Sequence, residues 1–74
     1  MKAKDVVREI MNVRGVRFVD LRKRLGIESN TMSNRLKQEN ISVAKLNEML
    51  RVLDYKLVVV PNGTRLSADE YEVE

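Results

Sequence analysis

The sequence predicts a mainly α-helical domain of four or five helices, closed by a C-terminal β-strand or hairpin. Three observations carry this. Apolar residues recur at three- and four-residue intervals from Ala3 to Leu53. Gly15, Gly26 and Ser42 fall where that pattern pauses. After Asp54 the period changes, and "YKLVVVP" is a β-branched run that closes on the turn signal "PNG".

The first helix is expected over residues 2 to 13, where Ala3, Val6, Val7, Ile10 and Met11 form one face and Gly15 ends it. A short second helix is expected over 17 to 25. Leu21 and Leu25 are its inward pair, Phe18 lies one turn earlier, and Gly26 is a left-handed stop. The third helix should start near Ser29 and run to about Lys37, with Asn40 breaking the pattern. Ser42 is a good N-cap for the fourth, whose stripe is Val43, Leu46, Met49, Leu50 and Leu53. Tyr55 to Val60 is the expected strand, and Tyr71 and Val73 alternate with acidic residues in a weaker second one. The domain reading is thus a helical body over 1–54 and a strand or hairpin with an acidic tail over 55–74.

Composition narrows the functional classes. A chain of 74 residues buries a marginal core, and small folds recover stability from disulfides, metals or a second subunit. There is no Cys and no His, which removes disulfides, zinc fingers, thiol nucleophiles and imidazole bases. A second subunit is the remaining common support. No apolar run approaches the roughly 20 residues that span a bilayer. The opening "MKAKDVVREI" has no signal-peptide apolar segment, so a cytoplasmic location is expected and no membrane association. Net charge is +3 but uneven: residues 1–54 carry 12 Lys/Arg and 7 Asp/Glu, and residues 55–74 carry 2 and 4. A basic body with an acidic tail suits a polyanionic partner, although a solvated mixed-charge surface has the same composition.

"IESNTMSNRLKQEN", residues 27 to 40, is the unusual stretch. Ser29, Asn30, Thr31, Ser33 and Asn34 are residues whose side chains compete with a helical backbone. Yet Met32 and Leu36 keep helical spacing. Leu21, Leu25, Ile27 and Met32 occupy the spacing of a helix-turn-helix, whose second helix lies in the DNA major groove. The outer face of such a helix must offer donors and acceptors to base edges, work that Ser, Thr, Asn, Gln and Arg can do. The plainer alternative is that Ser29 is an N-cap and the asparagines fill a solvated face.

With "LGIESNTMS" as its most specific part and "SNTMSNRL" as its third helix, the chain resembles the lambda-repressor/Cro-like (XRE) helix-turn-helix regulators over residues 5 to 53. It is nearest a small bacterial and mobile-element branch. The resemblance implies a lambda-repressor-like domain, double-stranded DNA as partner, and base contacts by Ser29, Asn30, Ser33 and Asn34. Asn suits adenine N6 and N7, and Ser is permissive. Arg35 and Lys37 flank that face as phosphate contacts, joined by Arg14, Arg17 and Thr31. Two positions depart from the family. Phe18 stands where it usually has a phosphate-binding Gln, and Arg22 where it usually has Ala at a tight contact. Either the two motif helices sit slightly apart, or the Arg22 stem lies along the surface with its charge outside.

Other chemistry finds no support. Met32 fits a core position among Leu25, Ile27 and Leu36 better than a peptide groove. Asp20, Glu28 and Glu39 lack regular spacing and any neighbouring nucleophile, so no enzyme, no metal, no cofactor and no small-molecule ligand is expected.

A single strand leaves its N–H and C=O groups unpaired. "KLVVV" can pair with the tail, folded back at Pro61-Asn62-Gly63, or with the same strand of a second copy, and both can coexist. Cro-like proteins dimerise through a C-terminal strand, and the resemblance implies the same for Leu57, Val58, Val59 and Val60. Alternation puts Leu57 and Val59 on one face and Val58 and Val60 on the other. Apolar residues on both faces suggest burial by the chain's own helices and by a second subunit. The expectation is therefore a sequence-specific transcriptional regulator, a Cro-like repressor binding a palindromic operator as a homodimer. The competing class is an antitoxin-like or adaptor protein whose main ligand is another protein.

Overall fold

Two left-handed glycines set the ends of the first two helices. In the computed structural model, which describes residues 1–74, α1 spans Ala3–Arg14 and α2 spans Phe18–Leu25. Gly15 and Gly26 both have φ of 67°, a conformation that costs an L side chain and is open to glycine. Each lets the chain turn back and satisfy the last carbonyls: the Val16 N–H donates to the Met11 carbonyl at 2.8 Å, and the Ile27 N–H to the Arg22 carbonyl at 3.3 Å. The α2 start is held by Asp20, whose Oδ2 accepts from the Arg17 backbone N–H at 3.1 Å.

α3 spans Ser29–Lys37 and α4 spans Val43–Arg51. Glu28, not Ser29, is the residue that enters α3 with extended backbone. Ser42 caps α4 as its type predicts, its Oγ accepting from the Lys45 N–H at 3.2 Å. α4 ends without a glycine. Asp54 takes the left-handed conformation instead, with φ of 63°, and the Tyr55 N–H returns to the Leu50 carbonyl at 2.9 Å.

All four helices feed one core. Ala3, Val6, Val7, Ile10 and Met11 come from α1, Leu21 from α2, Met32 and Leu36 from α3, and Leu46, Met49 and Leu50 from α4, with Leu53 just beyond it. α1 packs on α3 and α4, and α2 packs on the same two. Every fully buried side chain is apolar. Burying a Leu, Ile or Met side chain contributes about 1.5–3 kcal/mol, so these twelve hold the helices together. No helix is long and apolar enough to cross a membrane.

Three expectations need correction. The strand at Tyr55–Val60 does not form, and no second strand forms beyond it: the chain is all-helical. Leu57 packs half-buried on the core, but no backbone group of Lys56–Val60 enters a backbone hydrogen bond. A β-branched run favours extended backbone, yet a ladder also needs a partner edge, and the tail does not supply one. Instead the tail lies along the body: Tyr71 and Val73 pack on the core, the Tyr55 hydroxyl donates to the Asp69 carbonyl at 3.1 Å, and the Glu74 N–H donates to the Met1 carbonyl at 2.8 Å. The turn at Pro61-Asn62-Gly63 does form, with Gly63 at φ of 86° and the Thr64 N–H on the Pro61 carbonyl.

The expected alternation of Leu57 and Val59 on one face also fails, since Val59 is 100% exposed. Finally, Val43 is 71% exposed rather than part of the α4 stripe, and Phe18, one turn before Leu21, is exposed as well. Both are the first residue of their helix, where the apolar face has run past the core.

Candidate nucleic-acid interface

α3 divides into two faces with different chemistry. Met32 and Leu36 are buried in the core, which fixes the rotation of the helix. Ser29, Asn30, Thr31, Asn34 and Lys37 are exposed, and Ser33 is half-buried. At 3.6 residues per turn, Asn30, Asn34 and Lys37 form one row on the side away from Met32 and Leu36. None of these polar side chains makes a hydrogen bond or ion pair within the chain. The asparagines thus present both a carbonyl and an amide outward, unoccupied by the fold.

The expected phosphate contacts are in different situations. Lys37 and Thr31 stand free on α3. Arg17 is exposed at the entrance of α2 and paired with Asp20, its Nε 3.1 Å from Oδ2. That pair holds the Asp20 carboxyl below its ordinary range, through the Arg17 side chain and then its backbone N–H. Arg14 points elsewhere. Its guanidinium lies 5.2 Å from the centre of the Tyr55 ring, and it lines a groove with Val6, Ile10, Leu50 and the tail. Arg35 is tied down: its Nη1 is 3.1 Å from Glu48 Oε1 on α4, and its side chain is 12% exposed. The four dimer candidates, Leu57 to Val60, lie in that same groove wall, where only Leu57 is half-buried.

Several other cations of the basic body are held by the fold. Arg8 Nη2 donates to the Leu36 carbonyl at 3.1 Å, Arg22 Nη1 to the Ile27 carbonyl at 3.4 Å, and Arg24 Nη1 to the Val52 carbonyl at 3.1 Å. Arg22 is half-buried and its guanidinium reaches the α2–α3 turn, so its charge is accommodated without entering the core. Lys2 and Lys4 both bond Glu39, at 2.7 and 2.8 Å, and pull its carboxyl down to about 2. The partners of Arg8 and Glu48 lie 28 and 13 residues away, so no local pattern marked either one.

The acidic residues do not converge. Asp20 faces Arg17, Glu39 faces the two lysines, and no three acidic groups gather where a metal ion would sit. The last acidic residue of the tail sits at the N-terminus, Glu74 Oε1 lying 3.5 Å from the Met1 amine. Asp69, Glu70 and Glu72 line the groove with Val6, Ile10 and Leu50, whereas Leu36 of α3 lines a smaller cleft with Arg8, Met11, Asn12 and Phe18, on another side of α1. Compared with known families, characterised proteins and solved structures, the chain matches none.

Proposed function

We propose that this chain is a sequence-specific double-stranded DNA-binding regulator of the lambda-repressor/Cro-like helix-turn-helix type, with α3 as the reading helix. The supporting observation is the unoccupied row of Asn30, Asn34 and Lys37 on a helix whose other face is locked in the core by Met32 and Leu36. The turn from α2 to α3 takes only Gly26, Ile27 and Glu28, the compact joint that a helix-turn-helix requires. Asn30 and Asn34 read base edges with Ser29 and Ser33, and Lys37 and Thr31 contact phosphates with Arg17. Arg14, stacked on Tyr55 at the tail, is a weaker candidate than its sequence position implied. The chain has no proposed catalytic role, cofactor or metal.

The proposed working form is a homodimer on a palindromic operator, acting as a repressor. One helix reads few base pairs, and two copies double the footprint. The surface proposed to join them is Val58, Val59 and Val60, exposed apolar residues beside the half-buried Leu57. The same valines would equally serve an adaptor whose main ligand is another protein, so the test must address DNA directly.

That test is selection of bound duplexes from a random pool, followed by binding of the winning site to Asn30→Ala and Asn34→Ala. Each variant should lose about 1–3 kcal/mol on the selected site if its amide makes a bidentate base contact, with its circular dichroism unchanged. A pool that yields no preferred sequence, or variants that bind as tightly as the parent, would remove the DNA-reading proposal and leave the adaptor class.

A further inference from the structure

We propose that Glu48 sharpens DNA selectivity by withholding Arg35 from the phosphate backbone. The inference rests on α3 being the reading helix. Arg35 follows the reader Asn34 directly and lies two residues before Lys37. An unrestrained arginine at that place would reach for phosphate and would bind every sequence alike.

The structure shows it restrained. Glu48 Oε1 holds Nη1 at 3.1 Å across the gap from α4 to α3, and the Arg35 side chain is 12% exposed while Glu48 is 49% exposed. The restraint is an ion pair rather than a fitted cradle. Arg35 Nε is buried and makes no hydrogen bond. A donor in that state has lost water without gaining an acceptor, so swinging outward would return its hydration. The Glu48 carboxylate is what keeps the guanidinium in. Neutralise it, and the long arginine stem can carry its charge outward from the same helix.

The effect on recognition follows from what each contact does. Phosphate contacts raise affinity for specific and random duplexes together, whereas base contacts separate them. Taking one cation out of the phosphate set lowers the random background and leaves Asn30 and Asn34 in place. Glu48 is thus a positioning residue that sets the ratio of specific to random binding.

The experiment is the salt dependence of binding to the selected site and to a random duplex of equal length. Four proteins are compared: the parent, Arg35→Met, Glu48→Gln and the double variant. In the parent background Arg35→Met should leave the slope of log K against log salt unchanged. Glu48→Gln should steepen it by about 0.9, the value for one added phosphate contact, and Arg35→Met should abolish that gain. Glu48→Gln should also tighten random-duplex binding several-fold and narrow the gap to the selected site. Glu48→Ala is a second route to the same release if Glu48→Gln folds poorly by circular dichroism. A parent slope that falls with Arg35→Met, or a Glu48→Gln slope equal to the parent's, overturns this proposal alone. A parent that binds no duplex overturns the DNA reading and this inference with it.

Discussion

Arg8 Nη2 lies 3.1 Å from the carbonyl oxygen of Leu36, so a side chain of α1 closes the C-terminal end of α3. Carbonyls in the last turn of a helix lack intrahelical donors and carry the negative end of its dipole, and a guanidinium answers both. Arg8→Met, which keeps an apolar stem, should lower stability by about 1 kcal/mol, the usual net value of such a bond. Urea unfolding followed by circular dichroism would measure it. An unchanged midpoint would show the contact contributes nothing in solution.

Glu39 gives the fold a pH signature. Its carboxyl is lowered from an ordinary 4.5 to about 2, chiefly by the side-chain hydrogen bonds from Lys2 and Lys4. A folded-state pKa below the unfolded one means stabilisation that is complete above 4.5 and is lost as pH falls from there toward 2. The parent should therefore lose stability across that acid window more steeply than Glu39→Gln, which has no charge to lose. Denaturant midpoints measured from neutral pH down to about 2.5 would compare the two slopes. Identical slopes would mean that the two lysines do not hold Glu39 in solution.

Asp54, in the turn that follows α4, has φ of 63°, a conformation that helix ends commonly give to glycine. A left-handed non-glycine residue carries a cost of roughly 1 kcal/mol, somewhat less for Asp. Asp54→Gly should relieve it and raise the thermal midpoint, by up to about 1 kcal/mol in stability. Asp54→Val should lower it. If both variants melt together, the turn after α4 is not held in this geometry.

Val59 is the most exposed apolar side chain in the chain. In a monomer, Val59→Lys should change stability by no more than about 0.5 kcal/mol, since nothing there is buried. In the proposed homodimer the same change places like charges at the two-fold contact. Sedimentation at micromolar protein should then show a dimeric parent and a monomeric variant, with cooperative binding to a palindrome lost. Val58→Pro should act in the same direction. A parent that sediments as a monomer would end the homodimer proposal and leave the separate proposal for α3 untouched.

The helices were readable because their signals are local. Gly15 and Gly26 forecast the ends of α1 and α2, Ser42 forecast the start of α4, and the pairing of Met32 with Leu36 oriented α3 within a turn-prone stretch. What was not readable depends on distant partners. "KLVVV" announces extended backbone, but a strand is a property of two segments, and no second segment in this chain pairs with it. Arg35 looked like a free cation because its captor Glu48 lies on another helix. Val43 fitted the spacing of the α4 stripe, but spacing cannot say where the core stops. For the exposed α3 row, the sequence identified the residues and the structure showed that no internal bond occupies them.

That last point bears on how such a protein could change. Because the side chains of Asn30, Asn34 and Lys37 make no bond inside the fold, and because Met32 and Leu36 seat their helix in the core from its other face, the outward positions can be rewritten without renegotiating the core. Surface substitutions of this kind usually shift stability by less than about 0.5 kcal/mol. The scaffold therefore tolerates a large neighbourhood of variants that differ in outward chemistry and share one shape. Drift can explore that neighbourhood one residue at a time, without passing through unfolded intermediates. A library randomised at those three positions should return folded members at high frequency, and their preferences should diverge while their melting points stay together.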